Sequence, residues 1–267
     1  MDDPDYAHFN ARYYLHQRYP GDIFEAEANA NFSQHWIMPC YHRFYQQFHK
    51  EWDTSTATLL DLGGGPCIHC QISAAPYVAK IYHSDYVESC RDEVLMWKKK
   101  DPNAYDWSPY FEHVVNTLEG QNDPDAVTER IEMLRSKIED VLFCDIRRTN
   151  IVPEIAAGKV DIVVSNACIE NVVKSVKEYE TVLQQIKNLL SPKGFFLTMA
   201  NLGCSFYHID GKRYPSYPIT EENIVVSLQK VGFKVHHKEL YLKSPECFKS
   251  YKPSNSIGRM FVAAQVY

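Results

Sequence analysis

The stretch LLDLGGGPCIHC, residues 59–70, brings together two groups of residues that can do chemistry. Three consecutive glycines, residues 63–65, follow a short apolar run, and such a turn lets a ligand approach the main chain closely. Cys67 and Cys70 enclose His69 with the spacing of half a zinc site or of a thiol redox motif. Three interpretations are open: a turn that holds a nucleotide or nucleoside, a metal or redox site, and an ordinary tight turn.

A dinucleotide-binding turn needs a third glycine that this stretch lacks. The G-x-G-x-x-G fingerprint is satisfied by Gly63 and Gly65, but its last position is Ile68. Pro66 also removes a main-chain N–H where a diphosphate would be bound. A nicotinamide-dependent oxidoreductase therefore remains an alternative that rests on the first two glycines alone.

The metal interpretation lacks partner ligands. Cys67 and Cys70 supply two of the four ligands of a structural zinc site, and no second C-x-x-C or H-x₃-H pair completes it. We therefore predict no bound metal. The glycines ahead of the motif serve close main-chain approach, which thiol chemistry does not need.

Acidic residues close three successive predicted strands and favour S-adenosylmethionine as the ligand. Asp61 ends the first strand, Asp85 ends the second 20 residues after Gly65, and Asp145 ends the third. A carboxylate at the end of the second strand is placed to hold ribose hydroxyls at the carboxyl edge of a doubly wound sheet. Asp145 would face the adenine amino group, and Asp61 would orient the turn.

The alternation of strands and helices predicts an α/β fold with a Rossmann-like, doubly wound, mostly parallel sheet of seven strands. We expect a single domain, 1–267, with an N-terminal helical lid over 1–52 and a core over 53–267. The last two strands are too close for a crossover helix and should form an antiparallel hairpin. The strands are predicted at 58–62, 79–86, 141–146, 159–168, 195–201, 234–242 and 260–267. Helices are predicted from Phe32 to Phe48 and at 67–77, 88–100, 126–140, 176–190 and 222–232.

Two local features carry further expectations. Pro39 should break or kink the N-terminal helix, because proline lacks the N–H that a helix interior needs. Residues 101–125 are polar and carry several prolines, so no element is predicted there.

Composition argues against several partners. The net charge of −6 and the pI of about 6.0 do not suit a nucleic-acid groove, so nucleic acid is not an expected partner. The acidic N-terminus does not resemble a signal peptide, and no apolar run reaches the roughly 18 residues of a membrane span. We expect a cytoplasmic monomer with no membrane contact, whose eight cysteines are thiols.

The motifs, taken in order, resemble the small-molecule N-methyltransferases that act on nicotinamide, phenylethanolamine and indolethylamines. The turn DLGGGPCI at 61–68 resembles that family's D-x-G-x-G-P turn, and YDWSP at 105–109 is close to its F-D-W-S-P element. Matching segments also occur at HFNARYYLHQRY (8–19), SDY (84–86), CDI (144–146), LLSPKGFFL (189–197) and FYHIDGKRYPSYPI (206–219). The resemblance covers nearly the whole chain. It implies transfer of a methyl group from S-adenosyl-L-methionine to the nitrogen of a small amine or pyridine, with S-adenosyl-L-homocysteine as the product.

The resemblance also implies roles for individual residues. His69 stands in place of a tyrosine that commonly contacts the cofactor, and Cys90 in place of an asparagine that often helps hold the ribose. Cofactor binding is implied for Tyr14, Tyr19, Gly63, Gly64, Gly65, His69, Asp85, Tyr86, Cys90, Asp145, Ile146 and Asn166. Substrate binding is implied for Tyr14, Ala200, Cys204, Tyr207 and Ser216.

Two residues are candidates for catalysis. Glu170 matches an acid near the amine in the phenylethanolamine enzyme and would bind an ammonium and steer its proton to water. Tyr207 would pack against an aromatic acceptor. Ala200 and Cys204 replace acids of the nicotinamide and phenylethanolamine enzymes. With Cys90, they leave one alternative open, a catalytically impaired protein of the same fold that binds S-adenosylmethionine.

Overall fold

The computed structural model describes residues 6–19, 34–243 and 254–267. Seven strands of this part form one sheet, and two more form a separate hairpin. The strands of the sheet are β1 Thr58–Leu62, β2 Lys80–Asp85, β3 Ile138–Phe143, β4 Val160–Asn166, β5 Leu190–Leu202, β8 Phe233–Leu242 and β9 Gly258–Val266. The hairpin consists of β6 Phe206–Ile209 and β7 Lys212–Pro215.

The order of the strands confirms the predicted doubly wound sheet. It runs β3-β2-β1-β4-β5-β9-β8, with parallel pairing from β3 to β5. β9 lies between β5 and β8 and is antiparallel to both, as predicted for the last two strands. The chain reverses its direction of winding between β1 and β4. A crevice at the carboxyl ends of the strands, at such a switch point, is where ligands bind in sheets of this kind.

Helices cover both faces of the sheet. They are α1 Ala11–Arg18, α2 Gln34–Phe48, α3 His69–Ile72, α4 Glu88–Lys98, α5 Ser108–Glu112, α6 Ala126–Lys137, α7 Val176–Leu189 and α8 Glu221–Val231. One buried cluster joins α2 and the 105–114 region to one face, and a second joins α7 and α8 to the other. Among the described residues, no helix combines the length and the apolar character that a bilayer span requires.

The N-terminal segment contains α1 and α2, and α2 is packed into the core. In α2, Tyr41 and Tyr45 are buried, and the ring of Phe44 lies 5.3 Å from that of Phe195 in β5, so α2 is part of the core. The helix continues through Pro39 without a break, because burial of its apolar face offsets one missing main-chain hydrogen bond. The rest of the predicted lid, 1–5 and 20–33, lies outside the described residues.

The elements between residues 101 and 146 differ from those predicted. The strand predicted at 141–146 lies at Ile138–Phe143, so Asp145 follows the strand and does not end it. The helix predicted over 126–140 ends at Lys137, and β3 already begins at Ile138. Glu139 and Asp140 are exposed on this edge strand, so its first half lacks the apolar pattern that signals a strand. The region 101–125 contains α5 and a π-helical turn over His113–Leu118. Pro109 lies in the first turn of α5, where a missing N–H costs no helical hydrogen bond.

The β6–β7 hairpin was not predicted, although its turn has a sequence signal. Asp210 and Gly211 both have positive φ, 50° and 70°, and an Asp-Gly pair between two short strands is typical of a two-residue hairpin. The hairpin carries Tyr207, the residue predicted to pack against an aromatic acceptor.

Candidate active site

The glycine turn connects β1 to α3 at the switch point of the sheet. Gly63 and Gly65 have φ of 65° and 62°, which L side chains rarely adopt. A Cβ on Gly64 would lie 2.5 Å from Cε1 of His83 and 2.9 Å from the Asp61 carboxyl, so the middle residue must also lack a side chain. A Cβ on Gly65 would meet no atom within 4 Å, because this glycine borders an open cavity. The turn thus presents bare main chain to that cavity.

Asp85 ties the end of β2 to this turn. Its Oδ2 accepts a hydrogen bond from the Gly65 N–H at 2.8 Å, and its Oδ1 accepts one from the Val87 N–H at 2.8 Å. Burial raises the pKa of Asp85 above its usual value, although these two hydrogen bonds oppose the shift. Each carboxylate oxygen has a second lone pair, so Asp85 can also accept hydrogen bonds from a ligand in the cavity.

A buried polar network lies beneath the turn and includes one thiol of the Cys-x-x-Cys motif. Asp61 Oδ2 accepts hydrogen bonds from Gln71 Nε2 at 2.7 Å and from Cys70 Sγ at 3.3 Å. His83 Nε2 donates to the Gly65 carbonyl at 2.8 Å, which ties the same network to the turn. Burial raises the pKa of both Cys67 and Cys70, so they are protonated thiols and poor metal ligands. Within the described ranges, no group of three or more His, Cys, Asp or Glu is arranged to hold a metal ion.

The cavity at the switch point has a volume of about 380 Å³, within the range of small-molecule sites. It brings together nearly all of the residues that the sequence predicted for cofactor and substrate. The predicted residues along its wall are Tyr14, Tyr19, Gly63, Gly64, Gly65, His69, Asp85, Tyr86, Cys90, Asp145, Ile146, Asn166, Cys204, Tyr207 and Ser216. Glu170 and Ala200 are not among the lining residues.

His69 is held in an aromatic cluster beside the turn. Its ring lies 5.0 Å from that of Tyr19 and stacks on Trp107 at 6.2 Å. Burial lowers the pKa of His69 to about 4, so the imidazole is neutral at physiological pH. His69 therefore acts as a neutral aromatic in the wall, which suits a position where relatives were expected to carry tyrosine.

Asp145 and Tyr86, which the sequence predicted to contact the cofactor, both line the cavity. Asp145 forms an ion pair with Arg147 at 2.9 Å, and the Arg147 guanidinium lies over the Tyr86 ring at 5.0 Å. Burial raises the pKa of Asp145, but the hydrogen bonds and charge of Arg147 outweigh it and leave the pKa lowered. Cys90 is buried and its pKa is raised by that burial, so it lines this region as an uncharged thiol.

The opposite end of the cavity is aromatic. The ring of Tyr207 stacks on that of Tyr214 at 5.3 Å, and its hydroxyl lies 3.2 Å from the Tyr6 hydroxyl. The ring of Phe9 lies 5.5 Å from that of Tyr14 in α1 and 6.0 Å from that of Tyr214 in the hairpin, so α1 and the hairpin form one aromatic wall. On the sheet side, Asn166 accepts a hydrogen bond from the Tyr41 hydroxyl.

Glu170 lies behind the acceptor end of the wall rather than in it. Its side chain is buried, and Oε1 accepts hydrogen bonds from Asn201 N at 2.8 Å and Asn201 Nδ2 at 3.3 Å. Burial raises the pKa of Glu170 to about 7, although these bonds oppose the shift. Asn201 Oδ1 in turn accepts from Arg259 Nε at 3.1 Å. The cavity is therefore lined by the amide and the guanidinium, and not by the carboxylate.

Ala200 was expected to contact substrate, but its strand turns it away. Met199 and Asn201 line the cavity, and neighbouring residues of a strand point to opposite faces. Ala200 accordingly packs in the buried cluster beneath α7 and α8. A match of position 200 to an acid of the relatives does not show which face of β5 the residue occupies.

The lining residues that were not assigned to the site from the sequence include Tyr6, Arg18, Asn201 and Arg259. Tyr6 and Arg18 belong to the N-terminal segment, whose aromatic pattern indicated a lid but no particular contact. Arg259 follows Gly258 at the start of the last strand, and no motif marks it. It reaches the site because β9 inserts beside β5, a long-range pairing that has no local signal.

The glycine turn after β1, the acid that ends β2 and the cavity at the switch point define a methyltransferase of the S-adenosylmethionine-dependent, doubly wound class. The profile of the NNMT/PNMT/TEMT family matches residues 2–265, and the chain belongs to that family. The resemblance stated from the motifs is confirmed. The protein is accordingly an S-adenosylmethionine-dependent N-methyltransferase, and the glycine turn and Asp85 fit the cofactor that this class uses.

Similar proteins agree with this assignment. The chain is 30% identical to a nicotinamide N-methyltransferase of Sus scrofa over 186 residues, which cover 70% of this chain and 69% of that one. It is 29% identical to a phenylethanolamine N-methyltransferase of Homo sapiens over 245 residues, which cover 89% and 82% of the two chains. The fold matches a methyltransferase structure from Methanosarcina mazei with a TM-score of 0.54 at 12% identity, covering 83% and 97% of the chains.

Proposed function

We propose that this enzyme transfers the methyl group of S-adenosylmethionine to the nitrogen of a small aromatic amine or pyridine-type acceptor. The observation that carries the proposal is that the glycine turn and Asp85 share one cavity with the aromatic wall of Tyr6, Tyr14 and Tyr207. A bare main-chain turn and a buried acid suit a nucleoside, whereas the stacked tyrosines suit a flat acceptor ring.

S-adenosylmethionine supplies a methyl group on a positively charged sulfur, so the leaving group needs no activation by the protein. The residues of the chain then contribute by holding two molecules in line, an effect worth about 7–11 kcal/mol in well-oriented reactions. Asp85 and the glycine turn would hold the nucleoside, and Tyr207 and Tyr14 would hold the acceptor ring. The aromatic N-terminal residues exclude water from the space between them.

The residues at the acceptor end of the cavity indicate whether the acceptor nitrogen binds as a neutral or as a protonated group. Glu170, the candidate for binding an ammonium, is hydrogen-bonded to Asn201 and does not line the cavity. A pyridine nitrogen is neutral at pH 7 and needs no base, so it suits this end better than an aliphatic ammonium does. We therefore assign Glu170 a positioning role, in which it orients Asn201, and we place pyridine-type acceptors ahead of aliphatic amines.

The alternative of a catalytically impaired binding protein gains no specific support. Ala200, one of its three indications, lies outside the cavity wall, and Cys90 and Cys204 are small uncharged residues of that wall.

We also propose that the enzyme works as a cytoplasmic monomer. The seven cysteines of the described part are unpaired, as in a reducing compartment. Light scattering on a sizing column tests the monomer.

A labelled-methyl assay tests the function directly. The protein is incubated with methyl-labelled S-adenosylmethionine and a panel of pyridines and arylalkylamines, and the products are identified by mass spectrometry. We expect transfer to at least one ring or amine nitrogen. Tight binding of S-adenosylhomocysteine without transfer to any acceptor would support the impaired alternative instead. Thermal stabilisation by NAD and not by S-adenosylhomocysteine would support the oxidoreductase alternative.

A further inference from the structure

Arg259 places a guanidinium at the acceptor end of the cavity. It lies near the start of β9, directly opposite Asn201 of β5 in the antiparallel register, and it lines the cavity. Its Nε donates to Asn201 Oδ1 at 3.1 Å, and Asn201 is itself fixed by two hydrogen bonds to Glu170. The chain Glu170–Asn201–Arg259 therefore orients the guanidinium from behind.

Within the part of the chain that the structure describes, this positive charge forms no ion pair. Among the described residues, no carboxylate lies within ion-pair distance of Arg259 or of Arg18, which also lines the cavity. Arg18 Nη2 donates to the main-chain carbonyl of His208 at 3.3 Å, a neutral partner. Burial, together with the charge of Arg18, lowers the pKa of Arg259. Two guanidiniums thus line one cavity, and neither of them forms an ion pair with a described residue.

The free edge of Arg259 has the form of a carboxylate site. Its Nε is occupied by Asn201, whereas Nη1 and Nη2 make no hydrogen bond to any residue within 6–19, 34–243 or 254–267. The two Nη groups of an arginine can donate parallel hydrogen bonds to the two oxygens of a carboxylate. Such a partner would also relieve the repulsion between Arg259 and Arg18.

The strand order indicates which ligand supplies that carboxylate. β1, which carries the glycine turn, is separated from β9 by β4 and β5, so the two strands are three spacings or roughly 14 Å apart. Arg259 is instead paired with Asn201 of β5, three residues before Cys204 and on the strand that leads to the β6–β7 hairpin. Its charge also reaches Tyr14 and Tyr19, so binding of the cofactor is measured as a separate outcome. The position favours the acceptor over the amino-acid end of the cofactor.

We propose that the methyl acceptor carries a carboxylate and that Arg259 binds it, with Arg18 adding positive charge. The inference rests on the proposed function, because it specifies the acceptor of that same reaction. It narrows the acceptor class to small nitrogen heterocycles or amines that bear an acid group, such as a pyridine carboxylate or an aromatic amino acid.

Matched acid and neutral pairs test the proposal by binding. Nicotinate is compared with nicotinamide, and isonicotinate with isonicotinamide, by titration into protein saturated with S-adenosylhomocysteine. We expect one acid to bind at least about tenfold more tightly than its neutral partner, as for a charge-assisted hydrogen-bonded pair. Arg259→Gln should abolish the preference, and Arg259→Lys should restore part of it, because lysine keeps the charge and loses the paired geometry.

Arg213→Gln is the matched control. Arg213 is exposed on β7 and packs over the Phe206 ring at 4.4 Å, outside the cavity wall, so the acid preference should survive its loss. The Kd of S-adenosylhomocysteine is measured on the same variants. Weaker cofactor binding in Arg259→Gln with an unchanged acid preference would assign the guanidinium to the cofactor and overturn the proposal.

Equal binding of acids and neutral partners by the wild-type protein, or no binding of either, would also overturn it. The readout is independent of turnover. A retained acid preference without methylation of any panel member would contradict the proposed function and leave the carboxylate site supported. Methylation of neutral acceptors, with no acid preference in binding, would support the proposed function and overturn the carboxylate site.

Discussion

The carboxylate of Asp85 and the main-chain nitrogen of Gly65 lie 2.8 Å apart and join the ends of two neighbouring strands. Because the second carboxylate oxygen accepts from Val87 N–H, Asp85 fixes both the glycine turn and the start of the segment that leads into α4. One acid thus shapes the cofactor site and is placed to bind the cofactor. Loss of the Asp85 carboxylate should therefore weaken cofactor binding in two ways, by disturbing the glycine turn and by removing hydrogen bonds to the cofactor.

We expect Asp85→Asn to weaken the binding of S-adenosylhomocysteine by about 10- to 100-fold, as for the loss of hydrogen bonds to a charged group. The amide keeps one acceptor oxygen but turns an N–H₂ towards a main-chain N–H or a ribose hydroxyl. Calorimetric titration measures the Kd. Asp140→Asn is the control, because Asp140 is exposed on the edge strand β3 and caps only the adjacent Val141 N–H at 2.8 Å. Unchanged affinity in Asp85→Asn would remove Asp85 from the cofactor site.

The middle glycine of the turn should tolerate no side chain. We expect Gly64→Ala to lower the free energy of unfolding by about 1–3 kcal/mol, because the methyl group of the introduced alanine would overlap the side chains of His83 and Asp61. Cofactor affinity should fall with it, since the turn must move to make room. Urea denaturation and calorimetry measure the two effects.

Gly158→Ala separates this overlap from backbone strain. Gly158 has a φ of 70° and no neighbour within 4 Å of an added Cβ, so its alanine variant is strained but not crowded. It should lose about 1–2 kcal/mol of stability and bind the cofactor normally. Equal cofactor affinities for the two alanine variants would show that the turn does not need Gly64.

The cofactor half of the site could be predicted because its residues follow local patterns. Gly63 and Gly65 come directly after a buried strand, and Asp85 ends the next one, so parallel pairing alone brings them together. The acceptor half could not, because Glu170, Asn201 and Arg259 meet only through pairings between residues 31 and 58 positions apart in the chain. No period or motif encodes such a meeting.

The same contrast holds for the fold. The alternation of apolar strands and amphipathic helices predicted the doubly wound sheet and the antiparallel end. The boundary at Ile138 was missed because the polar Glu139 and Asp140 continue a helical pattern into an edge strand. The Asp210-Gly211 pair is a local signal for the β6–β7 hairpin, although no element was predicted between residues 202 and 221.

The Cys-x-x-Cys motif should be dispensable. We expect Cys67→Ser/Cys70→Ser to keep kcat within about threefold of the wild type, because burial holds both thiols in their protonated form. The hydroxyl introduced by Cys70→Ser can also donate to Asp61, as the Cys70 thiol does. Zinc content is measured alongside activity. About one zinc per chain in the wild type, lost in the double variant, would instead identify the motif as a metal site.

Tyr207 should act on the acceptor and not on the cofactor. We expect Tyr207→Ala to raise the KM of the acceptor by about tenfold, since a stacked ring is lost from the wall, and to leave the Kd of S-adenosylhomocysteine within twofold. Tyr207→Phe removes only the hydroxyl that meets Tyr6 and should have a smaller effect. Tyr267→Ala, at a side chain 76% exposed, is the control. If Tyr207→Ala also weakened S-adenosylhomocysteine binding by about tenfold, Tyr207 would not be a residue of the acceptor site alone.

Glu170 should make stability depend on pH in a particular direction. Burial raises its pKa from 4.5 to about 7 in the folded protein, so the folded state binds this proton more tightly than the unfolded chain does. The stabilising contribution is complete below pH 4.5 and is lost as the pH rises towards 7. In Glu170→Gln this loss is absent, because the amide stays neutral at every pH and its oxygen can still accept from Asn201 N–H.

Urea denaturation of both proteins between pH 5 and pH 8 tests this expectation. We expect the wild type to lose stability relative to Glu170→Gln as the pH rises, by at most about 3 kcal/mol for a shift of this size. Glu154→Gln is the control, since Glu154 is exposed and its loss should leave the pH profile parallel to that of the wild type. A constant difference between wild type and Glu170→Gln would mean that Glu170 is ionised throughout this range. In that case the Glu170–Asn201–Arg259 chain would carry a full negative charge behind the guanidinium, and the positive character of the acceptor end would be correspondingly weaker.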